Sequence, residues 1–369
     1  MRMTNSMMAN TLAYWTAKQL EKVNELSTTV TSGQRINKPS DDPGGASQVL
    51  ADRTTISKYA RYESNISQAQ TWAEESDTTL DAVNTLLTSA KSILSSLSSS
   101  SDDLSTSLAE LNNIYDEIIS YANTSLTEGY MYSGNDFTVK PFFDETSVSG
   151  GTASNIVFDL SGAASSVTIE ITDSTGAVVR TITTTGAEGT NTISWNGQDD
   201  SGNILADGDY SFTVTATDSS GNAVSEYPSY RGGSGSKTVI TGEDSRVTLN
   251  NDGGTIFSDV LKVISEAITA VNSSDTSSTT ISTLTACLAD AVSQIRSEET
   301  SLANAGILLD NSANRYDELM TYINGKISDT ETGDTTLASE ELTVQKNAYE
   351  TTISATASIL NMNTLKDYL

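Results

Sequence analysis

The chain has 369 residues, with 20 Lys and Arg against 48 Asp and Glu, a formal charge of −28, no histidine and a single cysteine. Without histidine there is no His-based acid–base catalysis, no Ser-His-Asp triad and no His-ligated zinc, and Cys287 alone builds neither a disulfide nor a cysteine metal cluster. So acidic a chain repels phosphate backbones and anionic lipid, which excludes nucleic acid and membrane surfaces as expected partners, and apolar and aromatic shares of 36% and 6% point to a core completed by neighbouring subunits.

The first stretch, MRMTNSMMANTLAYWTAKQLEKVNEL, lacks the continuous apolar run and small-residue cleavage site of a secretory signal, and no window of 18 apolar residues occurs anywhere. The expectation is no removable leader and no membrane span. Residues about 4 to 32 place Leu12, Val23, Leu26 and Val30 at helical spacing on a thin apolar face. Asp41 and Asp42 follow, between Pro39 and Pro43 and before Gly44 and Gly45. Paired carboxylates can do acid–base work or bind a cation, but Asp ahead of a helix is also a cap favoured by the helix dipole, and this is the preferred reading.

A seven-residue repeat comes next. Tyr59, Ile66, Ala73, Leu80, Leu87 and Leu94 share one heptad position, and Tyr62, Ala69, Val83, Ala90 and Leu97 the companion, where only Ser76 is polar. The Ser-rich break SSLSSSSDDLS then predicts a reversal into a helical hairpin, because Ser and Asp compete for backbone hydrogen bonds. Leu104, Leu111 and Ile118, with Leu108, Tyr115 and Ala122, form the second limb.

Residues about 134 to 255 change regime. Val167, Ile169 and Ile171 alternate with polar residues, as do Tyr210, Phe212, Val214 and Ala216, and DSTG, DDSGN, ADGD and DSSGN supply turns at the spacing of a small sandwich. Asp199, Asp200, Asn203, Asp207 and Asp209 suggest calcium by composition, but they miss the EF-hand pattern, and turn chemistry explains them without a metal.

Helical periodicity returns with Ile281, Leu288, Ile295, Leu302, Leu309, Tyr316 and Ile323, seven apart without a miss. Val292, Ala313, Met320 and Ile327 run alongside, interrupted by Glu299 and Gly306. A continuous helix from 281 to 327 would be roughly 70 Å long. Tyr59, Tyr62, Trp72 and Tyr316 read as core aromatics, and Cys287 as a small buried hydrophobe. Residues about 341 to 362 show Leu342, Tyr349, Ile353, Ala357 and Leu360 on another thin face; both chain ends would bury their stripes against each other and against copies of themselves.

Several motifs carry a family resemblance: MRMTNSMM at the start, TSGQRINKPSDDPGGASQ (31 to 48), TSLTEGYMYSGNDFTVKPF (124 to 142), and NMNTLKDYL at the end. Over about 1 to 145, and more loosely 228 to 369, the chain resembles the bacterial flagellar hook-filament junction family, relatives of flagellin. The stretch ISWNGQDDSGNILADGDYSFTVTATDSSGN is similar instead to the immunoglobulin-like module of the hook-capping protein. The expected fold is α plus all-β and multidomain: an elongated antiparallel helical bundle, a flagellin-like rod, with an outer β domain and an inserted immunoglobulin-like β-sandwich. Residues 1–40 and 331–369 are expected as assembly segments, 41–133 and 257–330 as the two halves of the rod, 134–149 with 228–256 as the outer β region, and 150–227 as the insert.

The resemblance implies a non-enzymatic, cofactor-free structural subunit, secreted through type III export with a chaperone. Its partners would be hook-associated protein 1, flagellin and itself in a ring at the hook-filament junction of the extracellular flagellum. Subunit contact is then expected of Met7, Met8, Leu12, Val23, Leu26, Val30, Gly33, Arg35, Ile36, Asn37, Asp41, Asp42, Tyr349, Ile353, Leu360, Tyr368 and Leu369. Competing readings are a divergent flagellin, a carbohydrate-binding adhesin using the β module, and a carboxylate-based glycoside hydrolase.

Overall fold

A computed structural model describes residues 5–97, 104–127 and 129–366 of this α-plus-all-β, multidomain chain. The chain divides into two compact units, residues 1–64 with 313–369, and residues 65–312. Its helices are α1 (Asn5–Ser32), α2 (Pro43–Leu97), α3 (Leu104–Ala122), α4 (Gly253–Asn272), α5 (Ser278–Glu331) and α6 (Thr335–Lys366). No helix among the described residues is long and apolar enough to cross a membrane.

The heptad positions read from the sequence form the helical core. Ile66, Ala73, Leu80, Leu87 and Leu94 are buried, as are Ile281, Leu288, Ile295, Leu302 and Leu309. Fully burying one such Leu or Ile contributes about 1.5–3 kcal/mol. Within the larger unit the companion row of α5 is Leu284, Ala291 and Ala305, three residues on, while Val292 is only half-buried. In the smaller unit the row is four residues on, at Ile327. A straight helix of 3.6 residues per turn drifts against a repeat of seven, which moves the buried stripe by one position along its length. Glu299 sits on the abandoned row, its Oε1 buried without a partner, and burial followed by the charges of Asp81 and Asp77 pushes its pKa upward.

The continuous helix expected from 281 to 327 is α5, and the helical region 257–330 holds α4 ahead of it. Asp252 caps α4 by accepting the Thr255 amide at 3.0 Å. The helix ends at Ser273 and Ser274, the latter with φ of 61°. Asp275 then accepts the Ser277 amide and the Thr280 hydroxyl at 3.3 and 2.9 Å, starting α5 afresh. The short limb α3 packs along α4. Cys287, expected to be buried, is half-buried.

Short strands link helix to sandwich: β1 (Ser125–Leu126) pairs with β2 (Gly129–Tyr130). The module itself holds β3 (Glu145–Ser149), β4 (Thr152–Ala153), β5 (Ile156–Leu160), β6 (Ala164–Thr172), β7 (Val178–Gly186), β8 (Gly189–Ile193), β9 (Gly208–Thr217), β10 (Ala223–Val224) and β11 (Glu226–Pro228). One sheet runs β4-β3-β9-β6-β7 with β10 also on β9, the other β11-β5-β8, all antiparallel. In register, Val167 faces Ala216, Ile169 faces Val214 and Ile171 faces Phe212, so one face of each strand enters the core with Phe158 and Trp195. The ring of Tyr210 packs edge-on to Trp195 at 5.6 Å, and its hydroxyl donates to the Ala206 carbonyl four residues upstream at 2.8 Å.

Three turns in this module repeat one device. Asp173, Asp199 and Asp218 each accept amides two and four residues on, at 2.7–3.1 Å, and each is followed by a glycine at φ of 82–84°. Side-chain bonds from Thr175, Asn203 and Asn222, then these amides, hold the three carboxyls below their usual pKa. Asp207 accepts the Gly150 amide at 2.9 Å. Of the residues whose composition suggested calcium, Asp199 and Asp207 thus carry loop hydrogen bonds on a carboxylate oxygen.

After the sandwich, β12 (Lys237–Ile240) pairs with β13 (Arg246–Asn250). Two motifs a hundred residues apart interlock beside this hairpin. A Cβ on Gly134 would lie 1.7 Å from the Gly233 carbonyl oxygen. The Asn135 amide donates to Ser234 O at 2.6 Å, and the Tyr230 hydroxyl lies 2.9 Å from Gly233 O. The GYMYSG and YRGGSG segments are glycine-rich because two backbones touch there.

Candidate assembly interface

The smaller unit holds both chain ends, and its geometry begins at the loop after α1. Gly33 ends α1 in the left-handed region, φ 71°, with its amide on Thr29 O at 2.9 Å. The chain then pairs with the segment between α5 and α6: Arg35 N donates to Glu331 O at 2.6 Å, Gly333 N to Gly33 O at 3.0 Å, and the Arg35 guanidinium to Thr330 O at 3.0 Å. This short antiparallel bridge fixes where α1 and α6 start toward each other. Asp334 caps α6 by accepting the Thr336 and Leu337 amides at 3.0 Å.

The loop 33–42 is closed by its own side chains. Asp41 accepts the amides of Asn37 and Lys38 at 3.0 and 2.7 Å, and the Asn37 side chain donates to Gln34 O at 2.7 Å. Asp42 accepts the Gly45 amide at 2.9 Å and the Arg35 guanidinium at 3.1 Å; those two interactions, in that order, hold its pKa below the usual carboxylate value. Asp42 therefore caps α2, as its position before Pro43 predicts, whereas Asp41, expected as a cap too, closes the loop instead because its oxygen takes the Asn37 and Lys38 amides. Ile36 is buried against Gly45, where a Cβ would lie 2.7 Å from Ile36 Cδ1.

Behind the loop, α2 and α5 run antiparallel. Arg53 grips Glu331 with two bonds of 2.9 and 3.0 Å, and Lys326 meets Asp52 at 3.2 Å. Val49, Ile323 and Ile327 form a small core with Ile56 and Tyr59, capped by Tyr59 and Tyr62 against Tyr316 at 5.1 and 5.5 Å.

Helices α1 and α6 pack antiparallel along each other. Val23 and Leu26 are buried between them, while Leu12, Val30 and Tyr349 are half-buried and Ile353 is exposed. Met7, Tyr14, Trp15, Leu337 and Val344 are each more than half exposed. A groove of about 310 Å³ lies between the helices, lined by Lys22, Leu26, Leu337, Glu341 and Val344. The structure thus brings Gly33, Arg35, Ile36, Asn37, Asp41 and Asp42 into one loop, and Val23 and Leu26 against α6. Met8 and Leu360 lie on α1 and α6, and Tyr368 and Leu369 fall outside the described residues. Sequence periodicity missed Tyr14, Trp15, Leu337 and Val344; the available signal was bulky apolar residues off the predicted stripe.

Comparison with known proteins separates a helical region from the β module. Residues 3–136 match the bacterial flagellin N-terminal helical region, and residues 144–220 match the FlgD Ig-like domain. No curated protein matches the chain as a whole. Among solved structures, a putative flagellar hook-associated protein from Vibrio parahaemolyticus is 16% identical, covering 79% of this chain and 100% of its own, with a TM-score of 0.49. FlgL from Bacillus cereus is 12% identical, covering 77% and 99%, TM-score 0.41. FlgD from Xanthomonas campestris is 27% identical over 30% of this chain and 78% of its own, TM-score 0.23. The chain carries a flagellin-like helical region joined to an FlgD-like Ig module, the combination its motifs predict.

Proposed function

We propose that this chain is a structural subunit of the bacterial flagellum, forming a ring at the junction between hook-associated protein 1 and the flagellin filament. Assembly runs through α1, α6 and the loop 33–42, and the work done is packing rather than catalysis. The observation that carries this reading is the α1/α6 pair, which closes one narrow seam and leaves Tyr14, Trp15, Leu337 and Val344 facing outward. Bulky apolar side chains on paired helices, left exposed among the described residues, fit the coiled-coil packing of adjacent subunits. The flagellin-like match over 3–136 supports the same assembly mode. The subunit is exported to the cell exterior by the type III route with a chaperone, and it needs no cofactor.

Tagged protein in isolated hook-filament preparations, viewed by immunogold electron microscopy, tests this. Label confined to one band at the end of the hook is expected. Label along whole filaments would replace this assignment with a divergent flagellin, and label absent from filaments together with glycan binding by the Ig module would replace it with an adhesin.

A further inference from the structure

The Ig-like module is inserted by two linkers, and their side chains meet in a buried, charged root. The chain enters through Phe143, Asp144 and Glu145 and returns through Ser225 to Arg231. Asp144 stands where β3 begins, Glu226 opens β11, and Asp159 sits on β5, the partner of β11. From the helical side, Tyr115 of α3 faces Glu226 and Asp144, and Ser265 of α4 donates to the Glu226 carbonyl.

Three carboxylates share this root with one guanidinium. Arg231 donates to Val157 O at 3.0 Å and its guanidinium lies 4.6 Å from the Phe143 ring centroid, while its charge also acts on Asp144. Asp144 Oδ1, Asp159 Oδ1 and Arg231 Nε are buried with no hydrogen-bond partner among the described residues. At Asp144 burial outweighs the charges around it: Arg231 and Lys140 favour its ionised form, and Glu145, which Lys140 reaches at 3.8 Å, opposes it. On α4, Asp259 and Glu266 act on Tyr227 while Lys262 pairs with Glu188 at 3.7 Å. Unpaired ionised carboxylates in such a place oppose closure, whereas their neutral forms do not.

We propose that the root of the Ig module is a pH-operated hinge, in which protonation of Asp144 and Glu226 closes the module onto α3 and α4 and their ionisation loosens it. Burial raises Asp144 to about 6, with Arg231 only partly offsetting it, and burial followed by Asp144 and Asp159 raises Glu226. Burial likewise keeps the Tyr115 phenol neutral through this range. The sign follows from linkage: a raised acid binds more protons in the closed state, so closure is strongest below the ordinary carboxylate pKa near 4 and weakens as pH rises through about 6. The hinge stands independently of the assembly reading.

Hydrogen exchange of the full-length chain, read on peptides spanning 143–149 and 225–231, tests it by comparing variants at the same pH. At pH 7.5 Asp144→Asn is expected to slow linker exchange on the order of a hundred-fold relative to wild type, since each pKa unit between the ordinary value near 4 and about 6 is a factor of ten, and Glu226→Gln is expected to slow it as well. Below about pH 3.5, where the closed and the loosened states both hold the proton, the three proteins are expected to exchange alike. Glu170→Gln, on an exposed carboxylate of β6 in the same module, is expected to change nothing. Equal exchange of wild type and both variants at pH 7.5 overturns the hinge, and so does equal slowing by Glu170→Gln, which would make general charge reduction the cause.

Discussion

The β sandwich and the two chain ends treat their apolar residues in opposite ways. In the sandwich, Phe158, Val167, Ile169, Ile171 and Phe212 are all nearly fully buried, because two sheets close over a period-two face. In the α1/α6 pair, Val23 and Leu26 are the buried apolar residues among the described side chains of α1, while Tyr14 and Trp15 stay outside. The difference is one of geometry. A sheet pair satisfies itself, whereas each of two helices can cover one narrow stripe of the other, and a wider apolar face calls for further helices. One region covers its own apolar residues and the other leaves several of them exposed.

The largest effect expected from this contrast is on assembly. Removing residues 1–40 or 331–369 is expected to abolish incorporation into flagella while residues 65–312 keep their circular dichroism signal; normal incorporation would erase the distinction between the regions. Next comes the sandwich core. Ile169→Ala is expected to cost about 2–5 kcal/mol in denaturant unfolding, whereas Val344→Ser is expected to change monomer stability by less than about 0.5 kcal/mol yet impair assembly. A stability loss from Val344→Ser equal to that from Ile169→Ala would show that the end helices are already a closed core.

Smaller effects sharpen the picture within the larger unit. Gly134→Ala, at φ 63° and against the Gly233 carbonyl, is expected to destabilise by more than about 1 kcal/mol. Tyr210→Phe removes one hydroxyl bond and is expected to cost about 1 kcal/mol in the same assay. The least effect is expected from the exposed turn aspartates. Asp173, Asp199 and Asp218 have lowered pKa values, so they favour the fold above the ordinary Asp pKa near 4 and lose that contribution as pH falls through their lowered values. The melting temperature of Asp199→Asn is therefore expected to show a shallower acid limb than wild type; identical limbs would count against the turns.

Much of this was legible in the chain itself. The heptads from Ile66 to Leu94 and from Ile281 to Leu309 named the buried seam because helix periodicity forces those positions onto one face. Alternation at Val167–Ile171 and Tyr210–Ala216 named the sandwich strands, and Asp before Pro43 named a cap. The break between α4 and α5 was missed because NSSDTSS differs little from the Ser- and Thr-rich helices around it, and only the capping bonds of Asp275 mark it. The pairing of Arg35 with Glu331 could not be read, since backbone amides and carbonyls carry no side-chain signal.

Local chemistry, then, determined which segments are helix, which are strand, and where the chain turns, since those choices depend on neighbours a few residues away. Tertiary structure decided what the far-apart pieces do to one another. It set Gly134 under Gly233, moved the α5 companion row by one residue, gathered the half-buried Asp144 and Glu226 and the buried Asp159 near Arg231, and left Trp15 and Val344 uncovered. Burial and electrostatic environment are properties of surroundings in space, and a one-dimensional pattern fixes the face of an element without fixing what lies across from it.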